Sequence, residues 1–405
     1  MSHREQLYQW NHIIARHLPT LSKTQVYCLA LWTFGMVLAR SCALTAVVAT
    51  IAALWEQKPD NLRQQLREFY KEAKAKAGDK RQEIHVETCF CGLLAWVLSW
   101  WKAQQIALAV DASPLADRFV VLAVSVLYRG CAIPVAWSIL PANTKGTWRK
   151  EWLRMLRKLA PAVPKSVSVL VLADRGLYAR WLFRRIVRLG WHPLLRVNSR
   201  CYFRAAGSCA FLRMGSYVPV EGSSWSGRGS AFASVKARLD CTLLAFYGKG
   251  HQEPWLMLTD LAPESGEACW YGLRTWIEQG FKFLKRAGWQ WNHTRMTDPA
   301  RVQRFWLILS VATLWLLSEG HSAPSDIPEG TFPPILLVKS SVVSRTHWDH
   351  VGIFHAGWLC ILVHFLRQEP LPEPQFVPEP WPRTAPIPRL NLVNKLNKCE
   401  QKVAA

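Results

Sequence analysis

Four side chains suited to gripping or cutting a phosphodiester recur at helical spacing in the stretch YGLRTWIEQGFKFLKRAGWQW, from Tyr271 to Trp291. Arg274 stands three residues after Tyr271, Glu278 four further on and Lys285 seven beyond that. Offsets of three, four and seven share one face of a helix. The spacing therefore predicts one helix over 271–291 that presents a phenol, a guanidinium, a carboxylate and an ammonium together. Such a face suits a metal-bound phosphodiester better than a protein core.

The carboxylate needs partners. Two upstream apolar runs end in aspartate: IALAVDAS sets Asp111 at the end of one, and VSVLVLADRG sets Asp174 at the end of another. Strand ends beside a helix face can bring Asp111, Asp174 and Glu278 together. Three carboxylates so placed are costly unless cations neutralise them, and hard oxygen ligands of this kind suit Mg²⁺. Each acid alone has an ordinary reading as a turn, cap or surface residue, Glu278 paired with Arg274 or Lys282 at four residues. Their conjunction points to chemistry.

With these residues on the page, the chain resembles the DDE transposases of the IS4-like insertion-sequence family. That family's signature, Y-x2-R-x3-E-x6-K, is matched without a gap by Tyr271, Arg274, Glu278 and Lys285. Its two aspartates would fall on Asp111 and Asp174. The resemblance runs roughly over residues 15–320 and implies an α/β fold: an RNase H-like catalytic core with a β-rich insertion, an N-terminal helical region and C-terminal helices. It implies an enzyme that moves DNA by phosphoryl transfer between polynucleotide oxygens, by cut and paste with hairpin ends. Two Mg²⁺ ions, or Mn²⁺ in their place, would be held by Asp111, Asp174 and Glu278, with Asp111 bridging both. Tyr271, Arg274, Lys285 and Arg286 would contact the backbone of double-stranded DNA, at the element's ends and at the target. Trp289 and Trp291 are open to stacking on a flipped base or to a core role. A homodimer in the DNA complex and a cytoplasmic, nucleoid-associated location follow from the same resemblance. Two alternatives stand beside it: a metal-dependent nuclease of the same fold without strand transfer, and a non-catalytic DNA-binding protein derived from a transposase.

Bulk composition agrees with a polyanionic partner. The 405 residues carry 50 basic and 28 acidic side chains, a net charge of +22. That excess implies nucleic acid or an anionic membrane surface, and nucleic acid is favoured because no long unbroken apolar helix is apparent. The 22 tryptophans divide between core packing and base stacking. The eleven cysteines lack zinc spacing and read as reduced core residues in a cytosol. The twelve histidines form no HExxH.

The elements that must position these groups follow from periodicity. Residues 1–103 read as helical and, by the resemblance, as the domain that binds the DNA end. Ser22 and Gln25 form a capping box, and Asp60 is the expected cap of a helix whose basic end, Lys71 to Lys76, either touches phosphate or is simply solvated. Residues 104–197 read as βββαβαβ, the first part of the core, with Gly130 in a hairpin turn. The helix from Trp148 to Leu159 turns Arg149, Lys150, Arg154, Arg157 and Lys158 outward. The 103 residues between Asp174 and Glu278 exceed a minimal fold, so 198–270 reads as a β-rich insertion. Its Arg228, Lys236, Arg238 and Lys249 either reach DNA or decorate a sheet. Residues 271–320 complete the core, with Asp298 and Pro299 opening a buried helix. Residues 321–368 read as a C-terminal helical segment for protein pairing, and 369–405 as a Pro-rich and polar tail.

Overall fold

The computed structural model describes residues 1–78, 81–115, 117–320 and 352–383. Most of the expected pairing segment (321–351) and the polar end of the tail (384–405) lie outside the described residues. The architecture is mixed α/β: a ten-stranded sheet with helices on its faces.

Five strands precede the insertion: β1 (Gln105–Leu115), β2 (Phe119–Tyr128), β3 (Cys131–Pro141), β4 (Ser168–Ala173) and β5 (His192–Arg196). Arg129 and Gly130, both at positive φ (43° and 77°), form the tight turn that folds β3 back on β2. Helix α6 (Arg149–Leu159) links β3 to β4, and α7 (Arg180–Arg188) links β4 to β5. These helical crossovers let β1, β4 and β5 run parallel. The order is β3-β2-β1-β4-β5, so β1 and β4 are neighbours. β4 is almost wholly buried, as a parallel strand covered on both faces must be.

The insertion extends this sheet. Strands β6 (Tyr202–Ala205), β7 (Leu212–Arg213), β8 (Ser224–Ala231), β9 (Leu239–Phe246) and β10 (Trp255–Thr259) continue it in the order β10-β9-β8-β6-β7. β10 joins antiparallel to β5 through Met257 opposite Arg196 and Leu258 opposite Leu195.

Two helices after the insertion lie on one face: α8 (Thr275–Lys282) and α9 (Pro299–Glu319). Adjacent residues of β3 identify the faces, because successive strand side chains point oppositely. Ser138 Oγ donates to Glu151 of α6 at 3.0 Å, whereas the Trp137 ring packs on Trp306 of α9. α6 and α9 therefore cover opposite faces. α8 seats on β3 at Gly280, where a Cβ would stand 2.8 Å from that of Ala132. Asp298 caps α9 by accepting from Arg301 N–H, with Pro299 at its first position.

The helices at the start of the chain share this core. They are α1 (His3–His17), α2 (Lys23–Ala39), α3 (Leu44–Trp55), α4 (Pro59–Tyr70) and α5 (Phe90–Trp100), joined by α10 (Ile353–Leu366) from the far end. Capping boxes at Ser2/Glu5 and Ser22/Gln25 open α1 and α2. Asp60 does not cap α4: Pro59, which has no N–H to satisfy, takes the first helical position and leaves Asp60 inside the first turn. Tryptophans tie the layers together. Trp10 stacks on Trp315 of α9 with centroids 4.1 Å apart, and its indole N–H donates to Thr33 Oγ1. Trp358 of α10 donates to the Val37 carbonyl of α2. α9 is long and apolar enough to cross a membrane by length and composition, yet its apolar window is 83% buried inside the protein.

Candidate active site

The stretch 271–291 is not one α-helix. A 3₁₀ segment over Ala268–Arg274 runs into α8, which loosens into a π-helical turn over Phe283–Ala287 and stops. The stop is steric. Gly288 comes so close to Phe354 of α10 that a Cβ there would lie 2.5 Å from its ring. The Gly288 and Trp289 N–H groups both fold back to the Phe283 carbonyl, and the chain turns inward.

Arg274, at the junction of the 3₁₀ segment and α8, collects all three acids. Its guanidinium lies 3.2 Å from the carboxylate of Asp111, 3.7 Å from that of Asp174 and 2.5 Å from that of Glu278. The structure thus brings together three carboxylates contributed by β1, by the residue after β4 and by α8. Their exposures differ: the side chains are 15%, 37% and 61% accessible respectively. Asp111 is the sheltered member and Glu278 the solvent-facing one.

Local backbone explains the placement. The β1–β4 ladder ends at Val110 opposite Ala173, so Asp111 and Asp174 occupy the next position of two adjacent strands. Asp111 does not close its strand, as its sequence position suggests. β1 runs four residues further because its pairing with β2 continues to Leu115 opposite Phe119. Asp174 opens the turn to α7 and accepts a hydrogen bond from Leu177 N–H at 3.0 Å. Asp111 accepts one from Ala112 N–H at 2.9 Å.

Lys285 also reaches β1. Its ammonium donates to Ser113 Oγ and to the Pro114 carbonyl, each at 2.6 Å. Ser113 lies two residues from Asp111 on the same strand face, the face that α8 covers. Arg274, Glu278 and Lys285 thus all turn toward β1, although 3₁₀, α and π segments carry them.

Two expected DNA contacts are placed otherwise. Tyr271 is buried at 5% exposure. Its ring lies edge-on to Trp255, with Arg196 over its face at 5.6 Å. Arg196 in turn donates to Glu253, which also accepts from Arg175 beside Asp174. Sequence reasoning missed this Arg196–Glu253–Arg175 chain, whose members are too far apart in sequence to leave a signal. Trp289 is wholly buried, with its N–H given to Thr313 Oγ1 at 2.9 Å, and Trp291 is wholly buried as well. Neither indole is a platform for a base, because Gly288 turns the chain into the core before them. Arg286 remains exposed at the π-helical turn.

Protonation follows from this burial. Desolvation raises the Asp111 pKa despite the neighbouring guanidinium. Arg274 loses hydration too, but Asp111 and the surrounding groups hold its pKa above the usual value. Burial lowers the Lys285 pKa and raises that of Tyr271. The donor set is three carboxylates from separate elements, the hard anionic oxygens that a divalent cation of the Mg²⁺ type takes. Among the described residues no three acids, histidines or cysteines stand in a ready ligand geometry. Arg274 lies among these carboxylates and supplies the positive charge.

Comparison with known proteins places this site in context. No curated protein sequence matches the chain. A cryo-EM structure of piggyBac transposase in a synaptic complex with hairpin DNA aligns over 76% of this chain and 70% of its own, at 10% identity and a TM-score of 0.36. That likeness is too low to carry an inference. Residues 141–316 match the family model described as the transposase DDE domain, a span that includes Asp174, Arg274, Glu278 and Lys285 and begins after Asp111. Over those residues the chain is similar to a transposase DDE domain, which supports a DDE transposase.

Proposed function

We propose that this protein is a DDE transposase of the IS4-like group, cutting and joining double-stranded DNA at the ends of an insertion sequence in the cytoplasm, in association with the nucleoid. In this reading β1–β5 form an RNase H-like core, residues 1–103 bind the DNA end, and 198–270 are an insertion between the second and third acids. The observation that carries the reading is the convergence of Asp111, Asp174 and Glu278 on a single guanidinium. The transposase DDE match over 141–316 supports it independently.

The residues divide the work by position. Asp111, Asp174 and Glu278 would hold Mg²⁺, or Mn²⁺ in its place. Bound divalent ions supply Lewis-acid activation of the attacking oxygen and neutralise charge at the leaving oxygen. Arg274 holds the three carboxylates together, and its fork suits a bidentate grip on phosphate. Lys285, anchored on Ser113 and Pro114, sets a positive charge beside the first acid. Exposed Arg286 is the remaining backbone contact. Tyr271 is a positioning residue: its buried ring fixes the 3₁₀ segment from which Arg274 projects. Trp289, wholly buried and bonded to Thr313, serves the core. Pairing as a homodimer on DNA and hairpin ends belong to the same proposal.

The test is incubation of the purified chain with the DNA flanking its gene, in Mg²⁺ or Mn²⁺. Cuts at the element ends and joining to a second DNA are expected. Asp111→Ala should abolish cleavage while leaving DNA binding intact. Unchanged cleavage by that variant overturns the site assignment, and cleavage without joining reduces the protein to a nuclease.

A further inference from the structure

On the sheet face opposite α8, helices α6 and α7 lie side by side and leave between them an open groove of about 830 Å³. Both helices bury most of their apolar residues on the sheet: Trp152, Met155, Leu156 and Leu159 from α6, and Leu182, Phe183 and Ile186 from α7. Leu153 and Trp181 also line the groove, with Arg149 over the Trp181 ring at 5.7 Å, and every other lining residue but one is cationic. Arg180, Arg184 and Arg188 repeat every four residues along α7, facing Lys150, Arg154 and Arg157 of α6. The one acid in the lining, Glu151, is paired with Arg154, which Glu87 also holds at 3.2 Å. Among the described residues, Lys150, Arg157, Arg184 and Arg188 have no acidic partner.

Like charges four residues apart destabilise a helix, and the fold does not need this row, because the packing of α7 comes from its other side. A surface that keeps such a cost suits an anionic partner. We propose that the α6–α7 groove is a second binding site for the phosphate backbone of duplex DNA, on the far side of the sheet from the carboxylates. The site's charge and place stand alone, while the choice of DNA as the polyanion rests on the function proposed above. Shape favours a duplex over a lipid surface: a recess between two helices receives a convex cylinder, whereas a membrane offers a plane. Scale agrees. The nine residues of α7 span about 13 Å, over which a duplex carries roughly eight phosphate charges. A chain engaged at both faces would hold two duplex segments at once, separated by the thickness of the sheet.

The experiment follows binding of the full-length protein to a fluorescent 30-base-pair duplex of arbitrary sequence across a salt series. Arg184→Gln with Arg188→Gln is the test variant; both side chains are exposed, so the circular dichroism spectrum should not change. The slope of log affinity against log salt should fall by about 2 in magnitude, near 0.9 for each lost phosphate contact. Affinity at moderate salt should fall about tenfold. In the wild type, saturating duplex should protect Lys150 from an amine-reactive label. Cleavage of the element-end DNA by the wild type is followed in parallel, so that failure of the catalytic reading and failure of the groove register separately. Unaltered slope and affinity in the double variant overturn the proposal, as does Lys150 labelling at the same rate with duplex present. Protection by anionic vesicles but not by duplex overturns it as well.

Discussion

Lys285 and Ser113, 172 residues apart in sequence, are joined by a 2.6 Å hydrogen bond, and the same ammonium caps the next carbonyl of β1. The contact ties the irregular end of α8 to the strand that carries Asp111. Burial already disfavours the charged form of this lysine, so its neighbours hold it in place rather than solvent.

Lys285→Met keeps most of the side-chain volume and removes the charge. Single-turnover cleavage should slow about 10²-fold, the usual scale for losing one preorganised donor to a developing anion, with the fold retained. A cleavage rate equal to wild type would remove Lys285 from the site.

Arg274 is the counter-charge of three carboxylates in the metal-free protein. Arg274→Ala should lower the melting temperature in chelator, by about 1 °C for each kcal/mol of lost pairing in a chain of 405 residues. Adding Mn²⁺ should then raise it more in the variant than in wild type, because the cation no longer competes with a guanidinium. An equal or smaller Mn²⁺ shift in the variant would contradict that competition.

Much of this candidate site is legible in the sequence. The three acids and the four-residue signature could be named because helix and strand periods relate sequence spacing to direction. The strands carrying Asp111 and Asp174 could be named because their apolar runs are short and bounded. Depth was not legible. Trp289 follows a run of cationic residues and reads as a platform for a base, but Gly288 packs against Phe354, a contact between segments far apart in sequence. The phase of the helix misled for a related reason. By spacing Tyr271 shares an α-helical face with Arg274, whereas a 3₁₀ turn and the Arg196–Trp255 environment take its ring inside. β1 outran its expected end because pairing with β2, not composition, decides where it stops.

Trp289 offers a discriminating measurement. Trp289→Ala should cost about 3–5 kcal/mol of stability and remove the bond that Thr313 Oγ1 accepts, leaving its donation to the Leu309 carbonyl, while DNA affinity of the folded fraction stays at the wild-type value. Weaker binding without lost stability would restore the stacking role.

His17 gives the fold an acid-sensitive point. Its ring stacks on Trp96 with centroids 4.8 Å apart, and burial drags its pKa from 6.5 to about 4. The unfolded chain takes up this proton near pH 6.5 and the folded chain only near pH 4. The stability it contributes is therefore present above pH 6.5 and lost as pH falls toward 4. Urea unfolding across that window should show the decline, and His17→Phe should flatten it; an identical pH profile in the variant would refute the link.

The junction of β5 with β10 frees the site from the length of the excursion beyond it. The chain leaves β5 after Arg196 and returns beside that strand on β10, with Met257 opposite Arg196, so everything between begins and ends at nearly the same point in space. Residues added to or trimmed from the outer hairpins of that excursion would change the count between Asp174 and Glu278 without changing the gap those two carboxylates must bridge. Spacing along the chain is thus a poor ruler for this site, and the lateral alignment of two neighbouring strands is the true one.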